Sequence, residues 1–196
     1  MIRPTILVVC SLMLLACEKT EETQASSEAR DPIAVRELEF SETSLKNARV
    51  VGYRFALPWD DAPGAVMESG FSLIMRDGAL DVPALDRLKV TEATLTRDQV
   101  GRLVDAVYGE HEKTGAAACY DPHHIFLFHD GDGTLFHVVE VCFGCTNLRA
   151  QPEIAEPQWW RHDFRELARI CDEVGIGMVS GTAEDQIRFW DERERH

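Results

Sequence analysis

The sequence predicts an α+β domain: a mostly antiparallel sheet with a C-terminal β-hairpin and two or three helices packed on one face. Three observations carry that expectation. Two apolar runs, Ile125 to His129 and Thr134 to Phe143, flank the turn-forming Asp130-Gly131-Asp132-Gly133 and read as a hairpin. Two further stretches place apolar residues at helical spacing behind a cap, one opened by Thr96 with Gln99 and one opened by Asp163 with Glu166. No regular alternation of strand and helix links these pieces, which argues against a parallel βαβ sheet.

Taken in order, the chain begins with a segment that does not belong to that domain. Met1 to Ala16 has one early basic residue, Arg3, and an apolar run from Thr5 that is too short for the ~20 residues of a membrane span, so it reads as a signal peptide. Its end, Leu14-Leu15-Ala16-Cys17, resembles the lipobox of bacterial lipoproteins. That resemblance implies that residues 1–16 are removed and that Cys17 becomes the new N-terminus, carrying a diacylglycerol with its palmitate-type chains. It also implies a protein anchored in the cell envelope and facing the periplasm. Glu18 stands where an aspartate would resemble the inner-membrane retention signal, which favours the outer membrane over the inner. An ordinary signal peptide with an incidental Cys17 is the competing account, and Cys10 falls in the removed segment under either.

Residues 17–32 hold the lipidated cysteine and then Glu, Thr, Ser, Gln and Ala with almost nothing apolar, a composition that cannot bury enough surface to fold and so serves as a tether. Cleavage removes one of the 20 basic side chains, Arg3, and none of the 34 acidic ones, so the net charge of −14 becomes about −15. Such an acidic domain is a poor partner for nucleic acid or for direct adhesion to anionic lipid. The membrane is met through the N-terminal lipid.

Residues 33–177 supply enough chain for a single core. Val35 to Phe40 and Arg49 to Leu57 have strand character, the second alternating Val51, Tyr53 and Phe55 against Gly52, Arg54 and Ala56. Pro58 to Gly64 is a loop containing Trp59. Phe71 to Met75 and Leu88 to Leu95 read as further strands. The helix opened by Thr96 carries Val100, Leu103, Val104 and Val107 on one stripe and ends at Gly109. After the hairpin, Thr146 to Gln158 is a loop leading to Trp159-Trp160. These tryptophans serve either as packing for the last helix or as a grip on sugar or peptidoglycan, and the partner expected for the domain is an envelope protein or peptidoglycan. The helix opened by Asp163 buries Phe164, Leu167, Ala168, Cys171 and Val174 and stops at Gly175, with Cys171 an inert core thiol. Residues 178–196 form a polar tail in which Thr182 and Asp185 start a short helix carrying Ile187, Phe189 and Trp190, suited to docking on the domain or to a partner.

The chemistry-bearing residues concentrate between Cys119 and Cys145, which enclose three of the six cysteines. A two-residue turn at Gly131-Asp132 would pair residues whose numbers sum to 263, placing His123 opposite Glu140 and putting Cys119, His123, Glu140 and Cys142 on one face. A bulge or an odd turn would bring in His124 instead. Three accounts of the cysteines compete. A disulfide inside Cys142-Phe143-Gly144-Cys145 is disfavoured while that segment is extended over roughly 10 Å, but one from Cys119 to Cys142 or Cys145 is not. A turn at Gly144 would instead let Cys119, Cys142, Cys145 and His123 or His124 surround a zinc-type ion. In the third account Cys142 and Cys145 form a redox pair, one attacking and one resolving, as in a periplasmic thiol-disulfide oxidoreductase. Export to an oxidising compartment favours the disulfide.

The two boxes, Cys119-Tyr120-Asp121-Pro122-His123-His124 and Val141-Cys142-Phe143-Gly144-Cys145, also resemble a Cys-x-x-Pro-x-His and Cys-Phe-x-Cys pair of an uncharacterised family of small bacterial lipoproteins and exported proteins. That resemblance points to His124 as the box histidine and carries no activity with it. Asp130 to Gly133 fails as a calcium loop, since Leu135 stands where glycine is required and Val141 where glutamate is required. The sequence has no Gly-x-Ser-x-Gly, phosphate loop, dinucleotide fingerprint or His-Glu-x-x-His. No residue demands catalysis to explain it. The expectation is a lipid-anchored envelope protein, a binding or structural module with a Cys/His-rich site.

Overall fold

A computed structural model describes residues 31–36, 41–58, 60, 74–112, 120–152 and 161–195. The elements in chain order are β1 (Ile33–Ala34), α1 (Glu42–Asn47), β2 (Arg49–Phe55), β3 (Met75–Arg76), β4 (Ala79–Leu80), α2 (Val82–Leu88) and β5 (Lys89–Thr94). They continue with α3 (Arg97–Tyr108), β6 (His124–His129), β7 (Leu135–Cys142), β8 (Asn147–Gln151), α4 (Phe164–Glu173) and α5 (Ala183–Glu194). One antiparallel sheet of five strands runs β5-β2-β6-β7-β8, and a smaller one of three runs β1-β4-β3. The fold is α+β with mostly antiparallel sheet, as the patterning predicts.

The helices start where their caps dictate. Thr96 and Gln99 close a reciprocal capping box at α3, Thr182 and Asp185 do the same at α5, and the Asp163 carboxylate accepts the Glu166 N–H at 2.9 Å to open α4. Val100, Leu103, Val104 and Val107 form the buried stripe of α3, and α4 buries Phe164, Leu167, Ala168, Ile170 and Cys171. Arg102 ties the two helices together, reaching Glu166 at 2.5 Å and forking onto Glu173 at 2.6 and 2.9 Å.

Strand alternation sorts the core into two layers. Phe126, Phe128, Val139 and Val141 face Leu45 of α1, Leu103 of α3, Leu167 of α4 and Trp190 of α5. Ile125, Leu127 and Val138 face the other way, onto Ile74, Leu80 of β4 and Leu85 of α2. All eight residues of β7 are buried, because both faces of this strand are covered. The helices are therefore not confined to one face: α2 lies with the small sheet on the opposite side.

Several elements differ from their sequence expectation for identifiable reasons. The hairpin forms, but its register is displaced by two residues, pairing Phe126 with Val139 and Phe128 with His137. Asp130 faces Thr134 across a three-residue loop with Gly133 at φ +81°, and a bulge opposite His129 adds one more residue to β7. Each change alone would reverse the faces, and together they restore them. The hairpin is also not the last of the sheet, since β8 follows where a loop was expected. The strand expected over Val35 to Phe40 is only the two-residue β1, slightly earlier, with residues 37–40 outside the described part. The expected strand Phe71 to Met75 overlaps β3 at Met75 alone, with residues 71–73 likewise outside. Helices α1 and α2 were not anticipated; Ser41 and Asp81 cap them. The expected boundary at residue 177 does not divide the core, because Ile187 and Trp190 of α5 are buried in it, while Phe189 is exposed.

Candidate functional site at the Cys and His boxes

β7 ends at Cys142 and the chain turns at once, with Thr146 N–H bonded to the Phe143 carbonyl and Thr146 in the left-handed region at φ +47°. The turn folds Cys145 back beside Cys142, and both pack on Tyr120, all three being buried. The Cys142 sulfur sits among backbone donors: Asp121 N–H at 3.4 Å, with the N–H groups of Cys145 and Gly144 directed at it as well. Burial outweighs these donors and pushes the Cys142 thiol above its ordinary value. Cys142 is a free thiol, and so is Cys171 within α4, whose burial also raises it. Cys145 is disulfide-bonded. Cys119 and Cys17 lie outside the described residues, as do Trp59, Trp159 and Trp160.

The two histidines of the first box go to opposite sides. His123 lies on the side of Cys142, its Nδ1 3.0 Å from the Asp121 carbonyl and its Nε2 2.9 Å from Asp60 Oδ1. Its ring stacks on Phe55 at 6.4 Å, and Asp60 in turn accepts the Leu57 N–H at 2.7 Å. His124 faces the helices, donating from Nε2 to the Gly177 carbonyl at 2.8 Å and meeting the Phe143 ring edge-on at 4.9 Å. Full burial lowers it to about 3, so it stays neutral, with Nδ1 left without a hydrogen-bond partner. A single ion cannot be reached by both rings from these positions. Among the described residues no three His, Cys, Asp or Glu side chains come together to hold a metal ion.

Tyr120 closes the site on the other flank. Its hydroxyl donates to Glu140 Oε2 at 3.3 Å, and the Arg149 guanidinium lies 4.1 Å from its ring centroid. Glu140 and Arg149 are opposed across β7 and β8. Burial first, and the Glu140 carboxylate next, hold the Tyr120 phenol well above its ordinary range, so it acts as a neutral donor. Asp60, Tyr120 and Arg149 were not singled out from sequence. Tyr120 adjoins a box cysteine and could have been; Asp60 stands 63 residues from its histidine, and no local pattern announces that pairing.

His137 and His162 are packing residues away from the boxes. His137 is fully buried on the helical face, 2.5 Å from the Tyr108 hydroxyl and edge-on to Phe128, and burial lowers it to about 4. His162 is buried against the Val107 carbonyl at 2.7 Å. No helix among the described residues is long and apolar enough to cross a membrane.

Against family models, curated proteins and solved structures the chain has no match.

Proposed function

We propose that this chain is a lipid-anchored protein of the cell envelope, held at the outer membrane through Cys17, whose periplasmic domain is a binding or structural module closed at its Cys and His boxes by a Cys119–Cys145 disulfide. The observation that carries the disulfide is the bonded state of Cys145, with Cys142 beside it and Cys171 in α4 both free. The six cysteines leave only Cys10, Cys17 and Cys119 as its partner. Under the lipoprotein reading Cys10 is removed with the signal peptide and Cys17 carries lipid, so Cys119 remains. A bridge from Cys119 closes a loop of some 26 residues around the hairpin, and a loop of that size restricts the unfolded chain by roughly 3 to 4 kcal/mol. Peptidoglycan or another envelope protein is the partner class that this location offers.

Two other accounts are less well supported. A zinc-type site would need Cys119, Cys142 and Cys145 as thiolates with one histidine, and Cys145 is already bonded while His123 and His124 each hold other groups. A thiol oxidoreductase acting through Cys142 would need an exposed thiol of lowered pKa. Cys142 is 1% exposed and raised.

Two measurements test the proposal together. Replacing Cys17 with Ser should release the protein from the membrane fraction, and continued membrane association would remove the lipid anchor. Peptide mapping of the native protein after thiol blocking should show Cys119 linked to Cys145; three blocked thiols in this region, with or without retained zinc, would overturn the disulfide.

A further inference from the structure

His123 reaches two segments of chain at once. Its backbone is fixed to the sheet, because its carbonyl accepts the Phe55 N–H at 2.9 Å, and its ring stacks on Phe55. From that position Nδ1 lies 3.0 Å from the Asp121 carbonyl oxygen and Nε2 lies 2.9 Å from Asp60 Oδ1. Both of those oxygens can only accept hydrogen bonds. The Asp60 carboxylate is itself aimed, since its other oxygen accepts the Leu57 N–H at 2.7 Å. A neutral imidazole has one N–H and would turn a lone pair on one of the two oxygens at contact distance, whereas the imidazolium satisfies both.

We propose that His123 is a proton-operated clasp: its imidazolium joins the Leu57 to Asp60 segment to the Asp121 peptide, and loss of one proton opens one of the two arms. The arm that opens is the one to Asp121, because a neutral ring keeps its single N–H on the charged oxygen of Asp60, the stronger acceptor. The Asp121 N–H lies 3.4 Å from the Cys142 sulfur, so the proton on His123 also sets how firmly that peptide is held over the free thiol. Among the described residues, the other charged or titratable groups around the ring are the Asp121 carboxyl, the Cys142 thiol and, on the opposite face, His124 with Arg54 paired to it in β2. His124 is neutral and Arg54 is engaged with the Ile176 carbonyl, so the charge in contact with the ring is that of Asp60. The clasp needs neither the lipid anchor nor the disulfide.

The test follows the full chain, labelled with heavy nitrogen, by NMR as the pH rises from about 5 to about 9. His123 should carry N–H on both ring nitrogens at the low end and on Nε2 alone at the high end, and the Asp121 backbone amide should shift with the same midpoint. Asp60→Asn should lower that midpoint by about one pH unit or more, a roughly tenfold loss of proton affinity. A ring that keeps the same protons from end to end overturns the clasp, as does an Asp121 amide that does not follow the ring. A proton left on Nδ1 at the high end overturns the assignment of the arm that opens. These results are read on the wild-type chain alone. A midpoint unchanged in Asp60→Asn overturns the part given to the carboxylate.

Discussion

His123 Nε2 lies 2.9 Å from Asp60 Oδ1, across 63 residues of chain, and the same carboxylate accepts the Leu57 N–H through its other oxygen. The pair joins the end of the β2 strand to the segment that leads into β6. Both side chains are largely shielded, at 13% and 26% exposure, so their bond is not diluted as a surface ion pair would be.

Asp60→Ala removes both bonds at once and leaves the histidine nitrogen and the Leu57 N–H short of an acceptor. The expected loss is about 1 to 3 kcal/mol, read as a lower urea midpoint at unchanged slope. Asp60→Asn, which still offers an acceptor oxygen, should recover part of it. An unchanged midpoint for Asp60→Ala would show that the pair does not hold these segments together.

The C-terminal helix belongs to the core, and its removal should be felt there. Trp190 packs on Phe143 at 6.2 Å and on Phe164 at 6.4 Å between ring centroids. Trp190→Ala should destabilise by about 3 to 5 kcal/mol, the range for emptying a buried tryptophan site. A chain ending at Gly177 should lose more, since Ile187 and Ala183 go with it. A truncated protein as stable as the whole in denaturant unfolding would return residues 178–196 to the status of a loose tail.

Stability should fall on acidification, and the sign follows from two histidines. Burial lowers His124 to about 3 and His137 to about 4, against 6.5 in the unfolded chain. The unfolded state therefore takes up protons first, the stabilisation is complete above pH ~6.5, and it is lost as pH falls from there toward the folded values. By pH ~4.5 each histidine accounts for about 2 to 3 kcal/mol. Unfolding free energies measured from pH 7.5 to 4.5 should show this slope, and His137→Phe should flatten it. A pH-independent wild type would mean that these rings are not held neutral in the core.

Helices α3, α4 and α5 and the hairpin were legible because their signals are local: Thr96 with Gln99, Asp163 with Glu166, Thr182 with Asp185, and apolar positions at fixed spacing. β8 was not legible. Only Leu148 of its five residues is buried, so an edge strand of Asn147, Arg149, Ala150 and Gln151 looks like any polar loop. α2 was hidden because Pro83 reads as a breaker unless it is recognised in the first turn behind the Asp81 cap. At the site, the sharing of one face by Glu140 and Cys142 followed from period two, and the register did not, because the loop length and the bulge each shift it by one. The separation of His123 from His124 was open to the same parity argument. Their partners, Asp60 and the Gly177 carbonyl, lie too far along the chain for any spacing rule.

The way the chain enters the fold decides which part of it meets a pull from the N-terminal side first. The first strand, Ile33–Ala34, is two residues long and lies at the edge of the small sheet, opposite Leu80 and Ala79. Val35 and Arg36 add single bonds to the carbonyls of Gly78 and Leu135. Tension arriving from residue 32 therefore acts on this short seam before it reaches β2, which is flanked by β5 and β6 inside the large sheet. The seam is placed as a mechanical fuse: under load from that side it should peel first, ahead of the five-stranded sheet and the sulfur-bearing end of β7.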